Sequence, residues 1–258
     1  MKQPFIIAGP CTIENEEMAH ELARALKKIC HKHGFHYIFK ASYDKANRTS
    51  LESFRGPGMK EGLNILKEIG LAYDVPVTTD VHESHQVEDV AKAVDIIQIP
   101  AFLSRQTDLL LAAAETQKTV NIKKAQFMSA QDMGNVINKV ERTGNKSLLL
   151  TERGTMFGYN RLIVDYTGVL EMKEYGYPVV MDATHAVQRP GGQGGKSGGN
   201  REYAPYMAYA AAAMGVKGFF FEVHQNPEKA LSDGPNMIFL DKFEQVVMHL
   251  KKIVDLHE

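Results

Sequence analysis

Lys40, Lys45, Arg48 and Arg55 fall within one stretch, HYIFKASYDKANRTSLESFRGPG, interleaved with the short hydrogen-bonding side chains of Asn47, Thr49 and Ser50. Cations set among hydroxyl and amide groups make an anion site, because each charge is joined by neutral donors within reach of the same oxygen atoms. A solvated basic loop is the simpler reading of a charge run, but such runs usually spread along one helix face. Adding Arg105, Lys124 and Arg153 to Lys40, Lys45 and Arg48 gives a cationic set able to hold more than one phosphate or carboxylate, with arginines as bidentate partners and lysines as point charges. A second set is Cys11, His185, Glu222 and Asp233. Thiolate, imidazole and two carboxylates suit Zn, Fe(II), Mn or Co better than Mg or Ca. Taken singly, Cys11 reads as a small buried hydrophobe, and Cys30 reads the same way on the apolar side of the first helix. His82 and His85 in VHESHQ lack the HExxH spacing of a helical metal site; they read as polar residues at the start of the third helix.

These residues need elements that bring them together. Apolar β-type runs occur at FIIAG (5–9), YIFKA (37–41), PVTTD (76–80), IIQIP (96–100), TVNIKK (119–124), LLLTE (148–152), PVVMD (178–182) and GFFFEV (218–223). Stretches with helical spacing, such as EEMAHELARALKKICHKHG, separate them. Continuous apolar strands alternating with helices predict parallel strands buried on both faces. Eight such units in 258 residues predict a (β/α)8 TIM barrel with the whole chain, 1–258, as one domain. An open doubly wound sheet is the alternative. The unusual polar residues fall where the strands end: Cys11, Lys40, Asp80, Gln98, Lys123 and Lys124, Glu152 and Arg153, Asp182 and His185, Glu222 and His224. In a barrel all of these reach one mouth, the face where barrel enzymes keep their sites. Strands one, seven and eight, which carry the metal set, are neighbours only if the barrel closes. The loop RPGGQGGKSGGNRE (189–202) holds six of the 21 glycines. Pro190 stands where a phosphate loop would need its first glycine, and a lid over the mouth is the functional reading.

Composition narrows the classes. With 44% hydrophobic residues the chain can bury a full core, and a net charge of −1 offers no global field for nucleic acid or an anionic membrane. The five-residue apolar run near the N-terminus is too short to span a bilayer or to act as a signal, so a cytoplasmic protein is expected. Two cysteines make no disulfide framework.

The segments IAGPC, FKASYDKANRTS, SFRGPG, TTDVHE, IQIPAFLSRQTDLL, NIKKAQF, LTERGTMFGYN, DATHAVQ, GGKSGGNRE and PEKALSD together resemble the 3-deoxy-D-manno-octulosonate 8-phosphate synthases over nearly the whole chain. The resemblance implies a homotetrameric (β/α)8 barrel that condenses phosphoenolpyruvate with D-arabinose 5-phosphate and water, releasing inorganic phosphate, on the route to lipopolysaccharide. It implies Lys40, Lys45, Gln98, Lys124 and Arg153 as phosphoenolpyruvate residues and Asn47, Arg48, Thr49 and Ser50 as arabinose 5-phosphate residues. Arg105 is expected to reach the sugar phosphate of a neighbouring subunit. Lys45, Lys124, Arg153 and His185 are expected to carry the chemistry. A cysteine after AGP resembles the metal-dependent branch, with Cys11, His185, Glu222 and Asp233 as ligands of a divalent transition metal. Thr49 stands where many relatives carry Ser, and the hydroxyl is kept.

An enol phosphate attacking an aldehyde through C3 while water adds at C2 needs preorganised cations, both to bind it and to balance the shifting charge. Three other readings compete. A sister synthase making the seven-carbon keto acid phosphate typically has a sugar loop reading KPRTS, where this chain reads KANRTS. A Schiff-base aldolase would use Lys123 or Lys124 as nucleophile. A non-catalytic sugar-phosphate sensor would keep the cations and could lose the metal ligands.

Overall fold

Each of the eight apolar runs is a strand, and each is followed by a helix before the next begins. The computed structural model describes residues 3–48, 50–189 and 198–257. Its barrel strands are β1 (Phe5–Gly9), β2 (His36–Lys40), β3 (Val77–Asp80), β4 (Ile96–Ile99), β5 (Thr119–Lys123), β6 (Leu148–Glu152), β7 (Val179–Asp182) and β8 (Gly218–His224). The helices are α1 (Glu16–Lys32), α2 (Met59–Tyr73), α3 (Val87–Ala93), α4 (Thr107–Glu115), α5 (Asp132–Glu141), α6 (Tyr166–Glu174), α7 (Ala204–Ala213) and α8 (Leu240–Val254). In α1 the local causes are plain. Asn15 accepts from the backbone N–H of Met18 at 2.9 Å, Glu16 and Glu17 sit in the first turn, and Ala19, Leu22, Ala23, Leu26 and Cys30 form the buried stripe. Among the described residues no helix is long and apolar enough to cross a membrane.

Closure decides between the barrel and the open sheet. Neighbouring strands pair in parallel from β1 round to β8, and β8 then pairs with β1, from Phe5 opposite Gly218 to Gly9 opposite Glu222. The sheet is a closed (β/α)8 barrel, and the open alternative falls. Short additions ride on it: an antiparallel hairpin of Thr155–Gly158 with Arg161–Ile163 after β6, a pairing of Gln188–Arg189 with Gly198–Gly199, and Ile238–Phe239 extending the end of β8.

The pleat sorts the side chains. Phe5, Ile7, Ile38, Ile96, Leu149, Val180 and Phe220 form a separate apolar cluster inside the barrel, while residues of the other parity, such as Ile6, Phe39, Ile97, Ile122 and Phe221, join the larger core beneath the helices. Following the inward parity two residues further along each strand changes the chemistry: Ile38 gives way to Lys40, Ile96 to Gln98, Leu149 to Thr151, Val180 to Asp182 and Phe220 to Glu222. The interior is therefore an apolar plug below and a polar layer above. Within that layer Asn121 donates to Gln98 at 3.2 Å and Thr151 donates to Asn121 at 2.6 Å.

On β1 the inward position at the polar level is Gly9. A Cβ there would lie 2.0 Å from the carbonyl oxygen of Lys40 on the next strand, so the two backbones approach in a way only glycine permits. Gly9→Ala is expected to cost about 1–3 kcal/mol through forced backbone movement. A thermal melt should show a fall of several degrees for a chain of this size; an unchanged melting temperature would refute the tight approach.

Candidate active site

A cavity of about 590 Å³ opens at the C-terminal ends of the strands. Its cations come from several elements: Lys40 from β2, Lys45 and Arg48 from the loop that follows, Lys123 from β5 and Arg153 from the end of β6. The Lys40 ammonium donates to the carbonyl of Cys11 and to the hydroxyl of Ser42, each at 3.0 Å, and lies 3.7 Å from Glu222. Ser42 in turn donates to Asp80. Burial works against the charge on Asp80, but Lys45, the His82 ring and Lys40 hold its carboxyl well below the usual range. Burial also opposes the charge on Lys45, and Cys11, Asp80, Glu222 and Asp233 outweigh it, so its ammonium is held more firmly than an ordinary lysine's.

Lys123 is paired with Asp182 and lies over the Phe220 ring, 3.3 Å from its centroid. Burial, aided by Lys40 and Arg153, brings Lys123 down to about 8 in spite of Asp182. Arg153 donates to Gln188 at 2.7 Å, and its other terminal nitrogen is buried with no partner among the described residues. Arg153 lines a cavity rich in cations, and a guanidinium with an unused donor there suits a site that takes an anion.

Lys124 does not line the cavity. The expectation that it stands beside Arg153 there meets the pleat. Lys123 is the last residue of β5 and shares the inward parity of Asn121, so the next residue turns outward. The Lys124 ammonium is buried behind the wall, donating to the Met128 carbonyl at 3.0 Å and to the Thr155 hydroxyl at 3.3 Å.

Beside Lys40 and Lys45 are the soft and acidic groups. The Cys11 sulfur and one oxygen each from Glu222 and Asp233 lie within 4.8 Å of one another. Cys11 donates to Ser232 at 3.1 Å and to Asp233 at 3.2 Å. His185 Nε2 is 3.6 Å from Glu222 and 3.8 Å from Asp233, and its Nδ1 is 2.7 Å from Asp182. A carboxylate behind one imidazole nitrogen leaves the other aimed at the cluster, an arrangement common to metal-binding histidines. Burial, Asp233 and Glu222 push the Cys11 thiol well up, so it keeps its proton until a cation replaces it. Both oxygens of Glu222 are buried without a hydrogen-bond partner among the described residues. Two carboxylates and a thiol crowded this closely fit a divalent cation, which would satisfy those oxygens and relieve the repulsion.

The remaining expected residues are distributed unevenly. Asn47 and Arg48 line the cavity, and Arg48 donates to Ser232 at 2.5 Å. Ser50 is exposed, and Arg105 is exposed and outside its own chain's cavity lining. Thr49 and residues 190–197 of the 189–202 loop read as a lid lie outside the described residues. His82 is a correction. It lines the cavity with its ring 3.1 Å from Asp80, whereas α3 begins only at Val87 and His85 is exposed in the turn before it. The signal was in the spacing, since His82 shares the parity of Asp80. Ser232 and Gln188 gave no comparable signal.

With this fold and these groups the chain has the make-up of a barrel protein handling phosphorylated anions, and it belongs to the DAHP synthetase I family, whose profile matches residues 2–257. It is 53% identical over 252 residues to the 2-dehydro-3-deoxyphosphooctonate aldolase of Cyanothece sp., covering 97% of this chain and 92% of that one. The corresponding protein of Synechococcus sp. is 54% identical over 248 residues, 96% of this chain and 87% of the relative. That of Fusobacterium nucleatum is 52% identical over 256 residues, 98% and 92% respectively.

Because Lys123 is held at about 8, it is a cation below that pH and neutral above it. Affinity for sulfate, which does not itself titrate in this range, should weaken as pH rises through about 8. Lys123→Arg should retain affinity above that point, because an arginine stays charged. Calorimetric titration with sulfate at several pH values checks this, and a flat parent profile would contradict it.

Proposed function

We propose that the chain condenses phosphoenolpyruvate with D-arabinose 5-phosphate and water, giving 3-deoxy-D-manno-octulosonate 8-phosphate and inorganic phosphate. The observation that carries the reading is one cavity lined by cations from β2, β5 and the end of β6 together with His185 and Asp233, with Cys11 and Glu222 buried beside Asp233. The printed names of the relatives agree with it across nearly the full chain.

In this reading Lys40, Lys45, Gln98 and Arg153 hold phosphoenolpyruvate, and Lys123 takes the place that the resemblance assigned to Lys124. The Arg153 guanidinium and the Lys123 ammonium, both lining the cavity, take the phosphate. Asn47, Arg48, Thr49 and Ser50 hold arabinose 5-phosphate. Arg105, which its own cavity does not use, reaches the sugar phosphate of another subunit in a homotetramer.

The carbon–carbon bond forms between C3 of the enol phosphate and the sugar aldehyde carbon, whose oxygen takes up a proton. Water adds at C2, and loss of phosphate from that carbon leaves the ketone, so one water enters and one inorganic phosphate departs. Cations already fixed by their own partners stabilise the departing phosphate without reorganising. Holding both substrates in one cavity with C3 against the aldehyde removes most of the entropic barrier. A divalent transition metal held by Cys11, His185, Glu222 and Asp233 would supply Lewis acidity to the aldehyde or to water. The protein is read as a cytoplasmic enzyme of lipopolysaccharide precursor synthesis.

Phosphate release measured with phosphoenolpyruvate and a panel of aldose phosphates tests the reading. Arabinose 5-phosphate should be preferred over erythrose 4-phosphate by tenfold or more in kcat/KM, about 1–3 kcal/mol from hydroxyl and phosphate contacts that the shorter sugar cannot make. Equal turnover of both would sink the assignment.

The metal cluster has its own test. Exhaustive chelation should abolish activity, and a divalent transition metal should restore it. Elemental analysis should find Cys11→Ala depleted of metal. Cys11→Asn should hold metal weakly yet keep chelator-resistant activity, since an amide can orient substrate or water by hydrogen bonds. Full activity in a parent enzyme shown to be metal-free would refute the site.

A further inference from the structure

The Lys124–Glu152 pair lies outside the cavity, fully buried, directly behind the two cations read above as phosphate-binding residues. Lys124 follows Lys123 on the β5 exit and Glu152 precedes Arg153 at the end of β6, so each member of the pair is one residue from a cavity-facing cation and points the other way. Their charged groups are 3.4 Å apart. Lys124 also donates to the Met128 carbonyl in the turn after β5 and to Thr155 at the start of the hairpin after β6.

Glu152 does more than balance a charge. One of its oxygens accepts from the backbone N–H of Arg153 at 2.9 Å and of Gly154 at 2.6 Å. Gly154 has φ +94, in the region that favours glycine, and a Cβ there would come within 2.9 Å of Leu162. The chain therefore makes a sharp turn immediately after Arg153, and the carboxylate grips both peptide groups of that turn. Burial pushes the Glu152 carboxyl up, and Lys124 is foremost among the groups that oppose this. The two exits are stitched again on the backbone, from Lys124 N–H to the Thr151 carbonyl at 2.8 Å and from Met156 N–H to the Gln126 carbonyl at 2.9 Å. Gln126 itself lines the cavity.

We infer that Lys124 and Glu152 are positioning residues, a buried clamp that fixes the β5 and β6 exits so that Lys123 and Arg153 present their charges to one phosphate group. This rests on the reading of Arg153 and Lys123 as phosphoenolpyruvate residues. Neither clamp residue touches substrate. The clamp acts on the β5–β6 side of the mouth, while the arabinose 5-phosphate residues come from the loop after β2, so its loss should be felt by one substrate and not the other.

The test is the double variant Lys124→Met/Glu152→Gln, which leaves no lone buried charge and keeps an amide oxygen for the two N–H groups. Circular dichroism should show it folded. Its KM for phosphoenolpyruvate should rise about tenfold or more, the scale expected when a binding group is displaced by a fraction of an ångström to an ångström, while KM for arabinose 5-phosphate stays within about twofold of the parent. Should the double variant not fold, Glu152→Gln alone should show the same one-sided rise, smaller in size. Equal rises for both substrates, or no rise in a folded variant, would overturn the clamp. Arg153→Ala run alongside separates the two levels. A raised phosphoenolpyruvate KM in Arg153→Ala with an unchanged one in the clamp variant overturns the clamp alone; an unchanged one in Arg153→Ala overturns the reading of Arg153 and the clamp with it.

Discussion

The pairing of β8 with β1 sets Gly9 opposite Glu222, and most of the mouth depends on that register. Two residues past Gly9 the chain places Cys11, which meets Ser232 and Asp233 across 221 and 222 positions of sequence. Bringing such distant segments together is entropically costly. Closure offsets that cost by satisfying the backbone of both would-be edge strands at once. A sheet left open between β1 and β8 would keep Lys123 and Arg153 on neighbouring strands, with Lys40 three strands away from Lys123 in the same sheet, but would part Cys11 from Glu222.

Charge buried at the barrel mouth is tolerated because it is organised in opposed pairs. Lys40 lies by Glu222, Lys123 by Asp182, and Lys124 by Glu152. Removing one partner of such a pair leaves an uncompensated buried charge, which is far more costly than removing both. The places where pairing is incomplete are informative for the same reason. One Arg153 nitrogen and both Glu222 oxygens have no hydrogen-bond partner among the described residues. Both belong to the mouth of the barrel, the first suited to an anion and the second to a cation. A reaction joining a phosphorylated enol to an aldehyde draws on both, since it needs negative charge held at the departing phosphate and an electrophile polarised nearby.

The wall behind the cavity matters as much as its lining. A strand end can present only alternate side chains to the interior, so half of the charged residues at the mouth must face the helices. Lys124 and Glu152 occupy that outward parity, where they bind each other and the turns beside them. Thus a polar residue at a barrel mouth has two possible destinies, contact with ligand or support of the neighbour that makes contact, and the pleat assigns them.

The strands and helices were legible in the chain because parallel strands covered on both faces must be apolar throughout, and the helices between them need only one apolar stripe. The ring of polar strand ends was legible for the same reason, since charge stops an apolar run. His82 was within reach of the same reasoning, two residues beyond Asp80. The choice between Lys123 and Lys124 was not: the two are chemically identical neighbours, and which one faces inward depends on where β5 leaves the pleat. Ser232, Gln188 and the Glu152 grip on the turn at Gly154 carried no mark in composition or spacing. Sequence alone determined which segments become strands and which residues stand at their ends, because those follow from local hydrophobic pattern. Tertiary structure decided closure, the inward or outward fate of each strand end and the meeting of Cys11 with Asp233, because register and pleat belong to paired strands and no single segment carries them.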